Sequence, residues 1–174
     1  MIEKLLETIG QIWQLFLPWY VINEYEKGVV LRFGKWNREI GPGFHWLIPL
    51  GVDRVQADNV VFRTMDLPAQ SLTTVDDINV VVSAVVTAKI RNIKKALLEV
   101  EGADDAIKDA CVGTIGELVS ASTWDELRQP KFQERLATAC HERATGWGFD
   151  IKSARLSDLT KASTLRIAGM VNAK

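Results

Sequence analysis

The sequence offers few side chains that could carry out nucleophilic or acid–base chemistry. Its 174 residues include two cysteines and two histidines, and one of each stands together at Cys140 and His141. A thiol beside an imidazole is the pair that cysteine nucleophiles use. Neighbouring residues on a helix, however, point about 100° apart, and Cys140 falls on an apolar helical stripe where a thiolate is disfavoured. The pattern therefore predicts a buried core cysteine and no catalytic dyad.

The other candidate residues have simpler structural explanations. His45 lies within an apolar segment and is interpreted as structural. Asp76–Asp77 stand at an expected turn and Asp104–Asp105 at an expected helix start, and carboxylates suit both places. The two cysteines lack zinc-site spacing, and no phosphate-binding loop, nucleophile elbow, zincin or dinucleotide motif occurs. We therefore expect no enzymatic activity, no metal and no cofactor.

Composition excludes several classes of protein. Hydrophobic residues make up 47% of the chain and charged residues 25%, which is the ordinary globular mixture. Lys and Arg total 21 against 22 for Asp and Glu, so the net charge is −1. Without a basic excess to neutralise phosphates, nucleic acid is not an expected partner.

The first 22 residues form an amphipathic segment. Apolar side chains recur at helical spacing between residues 2 and 17, and Pro18 is expected to end that helix. The strongly apolar run from Ile12 to Ile22 is 11 residues long, whereas a bilayer span needs about 20. We therefore predict that residues 1–22 lie along a membrane surface without crossing it.

Trp and Tyr favour the headgroup level of a bilayer because each has an apolar body and a polar tip. The predicted membrane contacts are Ile9, Ile12, Trp13, Phe16, Leu17, Trp19 and Tyr20. The polar face carries Glu3 and Glu7 but only Lys4, which is less basic than most interfacial helices. Packing of the helix on its own domain or on a neighbouring subunit therefore stays open.

After this segment the chain alternates in the manner of strands and then returns to helical periodicity. The clearest strand runs from Ile78 to Arg91, and Pro68 is expected to end the strand that starts at Val60. Helical patterns follow residue 93, with a capping box at 123–126 and Pro130 at the first position of a helix. The prediction is an α+β fold: strand-rich 23–92, helix-rich 93–159 and a short C-terminal helix over 160–174.

Four strings of residues resemble the SPFH family (stomatin, prohibitin, flotillin and HflK/HflC relatives, also called band 7). They are Glu24–Lys35 (EYEKGVVLRFGK), Gly41–Pro49 (GPGFHWLIP), Asp66–Asp76 (DLPAQSLTTVD) and Trp147–Ile151 (WGFDI). Together they place an SPFH domain at 23–159. Relatives usually have a hydrophobic hairpin or spanning helix before this domain and a long coiled coil after it. This sequence is therefore similar to a minimal member, as met in a bacterium or a phage.

The resemblance implies a non-enzymatic, membrane-associated scaffold that assembles into a homo-oligomeric ring. Expected partners are membrane lipid and an unidentified protein client, with peripheral attachment favoured at the cytoplasmic side of the membrane in a bacterial or phage-infected cell. The alternative is a soluble structural oligomer whose N-terminal helix makes subunit contacts.

Predicted subunit contacts come from the long strand and from the charges around it. Its second face still holds Val81 and Val85, which is more apolar than an exposed face requires. The basic stretch that follows, with Lys89 and Arg91, is expected to meet the acidic helix start of a neighbouring subunit. That acidic start consists of Asp104 and Asp105.

Overall fold

The structure, a computed structural model, describes residues 19–162. Between residues 19 and 59 the chain forms five short strands. They are β1 (Trp19–Ile22), β2 (Glu26–Arg32), β3 (Lys35–Ile40), β4 (Gly43–Trp46) and β5 (Asp53–Asn59). Strands β3, β2 and β5 form an antiparallel sheet in that order, and β1 pairs with β4 in a separate two-stranded ribbon.

Alternation along β2 sends two neighbouring valines to opposite sides of the first sheet. Val29 joins the large core of the molecule, whereas Val30 packs with Ile22 and Ile40 in a small second core. Ile22 belongs to β1, so the ribbon lies on the sheet face that turns away from the large core. The ribbon is therefore the outermost layer of this part of the molecule.

A second antiparallel sheet contains the longest strands. It consists of β6 (Arg63–Thr73), β7 (Asn79–Ile90) and β8 (Phe149–Lys161), in the order β6-β7-β8. The period-2 pattern predicted for β7 is confirmed, because its even-numbered side chains are all buried: Val80, Val82, Ala84, Val86, Ala88 and Ile90. The odd-numbered face is half-buried.

Helices cover the buried face of this second sheet. The helices are α1 (Ile93–Leu98), α2 (Ala103–Ser120), α3 (Trp124–Leu127) and α4 (Pro130–Gly146). Of these, α2 lies against β6 and α4 against β8, whereas α1 lies against β2. The predicted capping box is confirmed: Thr123 accepts a hydrogen bond from the backbone of Glu126, whose side chain bonds back to the Thr123 N–H. Pro130 opens α4 as expected. Strands followed by helices confirm the α+β class.

Strand β6 continues past Pro68, the residue predicted to end it. A bulge between Leu67 and Gln70 accommodates the proline, and pairing with β7 resumes at Gln70. Because β6 is an edge strand, the missing N–H of Pro68 disrupts the ladder only locally.

Both ends of the described region differ from the helical prediction. Residues 19–22 of the predicted membrane-interface helix form β1, because β4 supplies a partner strand for their backbone. At the other end Thr160 and Lys161 complete β8, where Lys161 pairs with Val80. Ala162 is not helical either, and residues 1–18 and 163–174 of the two predicted helices lie outside the described residues. Within those residues no helix is long and apolar enough to cross a bilayer.

Candidate functional site

The two cysteines lie together in the core, between α2 and α4. Cys111 and Cys140 are both buried and free. The neighbouring Cys111 thiol, together with burial, raises the pKa of the Cys140 thiol. His141 points instead toward β8, where its Nδ1 lies 3.3 Å from the carbonyl oxygen of Ile151 and 3.6 Å from the carboxylate of Asp150. The adjacent thiol and imidazole therefore do not form a nucleophile–base pair.

The other polar candidates stabilise turns and helix ends. Nε2 of His45 lies 2.7 Å from the carbonyl oxygen of Gly41. Asp76 accepts hydrogen bonds from the hydroxyl of Thr74 and from the N–H of Trp124, and the Thr74 bond lowers the pKa of that carboxyl group. Within residues 19–162 no group of three or more His, Cys, Asp or Glu side chains is arranged to hold a metal.

The acidic start of α2 already has partners within the chain. Asp104 is bound by the guanidinium of Arg63, and Asp105 accepts a hydrogen bond from Lys108 at 3.1 Å. Asp105 remains largely open, with 83% of its side chain exposed. It is therefore the more accessible of the two predicted acidic contacts.

The predicted basic contacts lie at the end of β7 and extend onto neighbouring elements. Nζ of Lys89 lies 4.6 Å from the ring centre of Phe62, and Nζ of Lys152 lies 5.2 Å from the same ring. Arg91 is exposed just beyond the strand. Two lysines therefore lie near one aromatic ring, and Nζ of Lys89 also lies 3.9 Å from the carboxylate of Asp150.

The two valines predicted as subunit contacts lie on the half-buried face of β7. Val81 stands opposite Ser71 and Thr160, and Val85 stands opposite Asp66 and Arg155. The helices cover the other face of the sheet, so both valines lie on a polar surface with an apolar centre line.

Of the residues predicted to contact a membrane, Trp19 and Tyr20 lie in β1. The other five lie outside the described residues. In the register of the ribbon, Trp19 stands opposite Trp46 and Val21 opposite Phe44. Directly opposed residues of an antiparallel pair project to the same face. Trp19 and Val21 therefore share one face with the two aromatic side chains of β4.

This ribbon face is apolar and open. Exposed fractions are 46% for Trp19, 61% for Val21, 54% for Phe44 and 64% for Trp46. The Trp19 and Trp46 rings meet edge to face, with centroids 6.2 Å apart, and Phe44 meets Trp46 in the same way at 5.5 Å. The aromatic pairs hold the side chains in place on the surface instead of in a core. We call these four residues the ribbon face.

Two tight turns beside the ribbon carry further exposed apolar side chains. Phe33 precedes Gly34 between β2 and β3, and Leu50 precedes Gly51 between β4 and β5. Both apolar residues have left-handed backbones, with φ of 50° and 64°. The N–H of Phe33 donates to the carbonyl oxygen of Val52 at 2.8 Å, which brings the two turns together. We call Phe33 and Leu50 the turn tips.

An ion pair supports the turn tips from inside. Arg32 donates to both carboxylate oxygens of Asp53, at 2.8 and 3.1 Å, and the N–H of Ile48 donates to the same carboxylate at 3.0 Å. These bonds lower the pKa of Asp53, and the bond with Arg32 has the largest effect. A second arginine, Arg38, donates to the backbone carbonyl of Trp46 at 2.8 Å and thereby ties β3 to the ribbon.

Phe44, Trp46 and the turn tips are not among the contacts predicted from the sequence. A signal was available: Phe44 and Trp46 alternate at the same spacing as Trp19 and Val21, with no charged residue on that face. Phe33 and Leu50 each precede a glycine, at positions where turns usually hold Asn or Asp.

Comparison with known proteins agrees with this fold. A family model described as the SPFH domain / Band 7 family matches residues 20–174. The chain belongs to this family, and the resemblance found in the sequence is confirmed.

Three relatives illustrate the range of the family. A putative band 7 family protein of Acanthamoeba polyphaga mimivirus is 27% identical over 146 residues, which cover 83% of this chain and 48% of that protein. Protein HflK of Vibrio parahaemolyticus is 34% identical over 117 residues, covering 67% of this chain and 28% of HflK. A stomatin homolog of Pyrococcus horikoshii is 26% identical over 141 residues, covering 80% and 53%. The chain spans about half the length of these relatives or less.

Proposed function

We propose that this chain is a non-enzymatic, peripheral membrane scaffold that assembles into homo-oligomeric rings and organises a patch of membrane or protein. The observation that carries the membrane part is the ribbon face, with four large apolar side chains about half exposed on the outermost layer. Contiguous apolar patches of this kind on soluble domains mark surfaces that bind a membrane or a protein.

The chemistry of the ribbon face suits the boundary between headgroups and acyl chains. Trp is enriched at that level because its ring is apolar and its N–H is polar. Full burial of an apolar side chain is worth about 1.5–3 kcal/mol, so four half-exposed side chains retain about 3–6 kcal/mol gross. That gain supports weak binding by one subunit. A ring would multiply the weak contact through avidity.

The predicted membrane contacts Ile9, Ile12, Trp13, Phe16 and Leu17 precede the ribbon directly in sequence. In the proposal they extend the same apolar surface, since β1 begins at Trp19. Protein clients would gather around such a scaffold, and one relative, from Escherichia coli, carries the name modulator of FtsH protease HflK.

Ring assembly is proposed from the charges and the apolar line on the second sheet. The exposed Arg91 of one subunit would approach Asp105 of the next, while Val81 and Val85 pack against the neighbour. A contact between two different patches of the same chain is heterologous, and such contacts close into rings when the rotation between subunits permits.

The alternative is a soluble structural oligomer in which the ribbon face is buried between subunits. The same exposed fractions support it, because an apolar face that is open in one chain is equally suited to a second copy. The two functions differ in what happens when the ribbon face becomes polar.

Flotation with liposomes tests the proposal against its alternative. The ribbon variant combines Val21→Ser with Phe44→Ser. The matched control combines Val75→Ser, on a valine that is 63% exposed in the β6–β7 turn, with Tyr25→Ser, on a tyrosine that is 50% exposed. We expect wild type and control to float and the ribbon variant to stay at the bottom with its assemblies intact.

Light scattering on the same samples gives the second readout. A ribbon variant that loses its assembled size in the absence of lipid supports the soluble oligomer instead. Two wild-type results together contradict both parts of the proposed function. They are failure to float with any of the vesicles, and a stable monomer at micromolar concentration.

A further inference from the structure

The turn tips combine an unfavourable backbone with a lack of packing. Phe33 is 78% exposed and Leu50 is 62% exposed, and both adopt left-handed backbones that bulky side chains disfavour. In each turn a glycine with positive φ follows, so both are of the kind in which Asn-Gly is preferred. The structure thus places large apolar side chains where a small polar one would make a more stable fold. Both side chains are mostly exposed, so packing within residues 19–162 does not offset the cost of the left-handed backbone.

The surroundings of the turn tips are positively charged. Residues 32–38 and 46–55 contain four cations, Arg32, Lys35, Arg38 and Arg54, and a single carboxylate, Asp53. That carboxylate is only 9% exposed and is already bound by Arg32. A further cation, Lys94, lies 4.4 Å from the ring centre of the neighbouring Trp36.

The opposite end of the same sheet has the reverse charge. Glu24, Glu26 and Asp58 lie at or beside the other ends of β2 and β5, where the nearby cations are Lys27 and Arg63, whose Nη1 lies 3.6 Å from Asp58. Charge is therefore segregated along the strands, although the whole chain is nearly neutral. The cations and the exposed apolar tips occur at the same end.

We infer that the turn tips and their cations form a binding site for an anionic phospholipid surface. The inference rests on the proposed membrane function and adds to it the class of lipid and the end of the domain that enters first. Phe33 and Leu50 insert below the headgroups, and Lys35 and Arg54 neutralise lipid phosphates beside them. Both cations are exposed. The Arg32–Asp53 pair keeps the two turns together during insertion.

The charge test compares full-length protein on two kinds of vesicle, phosphatidylcholine alone and phosphatidylcholine with about one third phosphatidylglycerol. A cation near an anionic surface contributes about fivefold in affinity, so Lys35→Gln with Arg54→Gln should weaken binding to anionic vesicles about 25-fold. The matched control is Lys27→Gln with Lys131→Gln, which removes two exposed charges elsewhere. We expect the control to bind as wild type does, and wild-type binding to weaken as salt is raised.

The insertion test uses Phe33→Asn with Leu50→Asn. Asn tolerates the left-handed backbone, so this variant should melt at a higher temperature than wild type while binding anionic vesicles at least tenfold more weakly. Opposite signs for stability and binding exclude unfolding as the cause.

The outcomes separate the inference from the proposed function. Equal wild-type affinity for both vesicle types, with the Lys35/Arg54 variant unchanged, overturns the inference and leaves the membrane scaffold standing. A Phe33/Leu50 variant that loses its assembled size but still binds vesicles also overturns it, because the tips are then subunit contacts. A wild type that binds neither vesicle overturns the proposed function and the inference with it.

Discussion

Arg32 at the end of β2 and Asp53 at the start of β5 form a two-point ion pair, with nitrogen–oxygen distances of 2.8 and 3.1 Å. The same carboxylate accepts the N–H of Ile48. One side chain therefore joins two strands and the β4–β5 connection. The turn that carries Leu50 and the turn that carries Phe33 depend on it for their relative position.

Replacing Asp53 with Asn should loosen this end of the sheet. Asn keeps the size of the side chain but loses the charge, so the free energy of unfolding should fall by about 1–3 kcal/mol. Because folding lowers the pKa of Asp53, its contribution is present above the ordinary Asp pKa of about 3.9 and is lost as pH falls below it.

Denaturant unfolding at pH 7 and at pH 3 measures both effects. The difference between wild type and Asp53→Asn should be larger at pH 7 than at pH 3. An equal difference at both values of pH means that the carboxylate charge does not contribute.

The buried Cys140 thiol predicts a loss of stability as pH rises, whereas Asp53 predicts a loss as pH falls. Folding raises the pKa of the Cys140 thiol, so its stabilising contribution is complete below the ordinary thiol pKa of about 8.5 and is lost progressively above it. Stability should therefore decline between pH 8.5 and 10, and Cys140→Ala should decline less.

Reaction with a thiol-specific reagent at pH 8 gives an independent readout. Cys111 and Cys140 should be unreactive in the folded protein and should react together once denaturant unfolds it. Rapid labelling of Cys140 in the folded state contradicts the packing described above.

Substitutions of two adjacent valines in β7 test folding and assembly separately. Val86 is fully buried, so Val86→Thr places a hydroxyl in the core and should cost about 1–3 kcal/mol of stability. Val85→Thr makes the same chemical change on the opposite, half-buried face and should change stability by less than about 0.5 kcal/mol.

Light scattering then reports what Val85 does. The proposed ring predicts that Val85→Thr reduces assembled size although the fold is unchanged, by circular dichroism and by melting temperature. If the assemblies of this variant stay intact, Val85 is not part of the subunit contact.

A charge exchange tests the proposed contact between Arg91 and Asp105. Arg91→Glu alone and Asp105→Arg alone should each weaken assembly, because each places like charges opposite one another. The double variant restores opposite charges in reversed order and should recover assembly. Recovery is the diagnostic result, since two unrelated surface changes would add instead of cancelling.

Sedimentation velocity across a concentration series measures this recovery. Lys108→Gln serves as a control, because it removes the partner of Asp105 within the chain and should strengthen the subunit contact slightly. Equal assembly of wild type, both single variants and the double variant contradicts an electrostatic contact at these positions.

Features that depend on neighbours in sequence could be predicted from the sequence. The alternation from Val80 to Ile90 indicated β7, because a strand with one buried face has a period of two. Thr123 and Glu126 indicated the start of α3, because a capping box is complete within four residues. Strings such as Glu24–Lys35 were sufficient to indicate the family, which the family model over residues 20–174 confirmed.

Other predictions failed where a distant partner overrides local preference. Pro68 was expected to end a strand, yet the ladder with β7 resumes at Gln70 because many further pairings outweigh one missing N–H. Residues 19–22 were assigned to the N-terminal helical segment, yet pairing with β4 makes them a strand.

Local sequence patterns were enough to predict the class of fold, the family, most helix starts and the buried face of the longest strand. Long-range strand pairing places Trp19 opposite Trp46 and brings the turns of Phe33 and Leu50 together. These pairs are far apart in the chain, and no local periodicity specifies which strands will pair or which turns will adjoin. The candidate site therefore appears only when backbone hydrogen bonds between distant strands bring its parts to one surface.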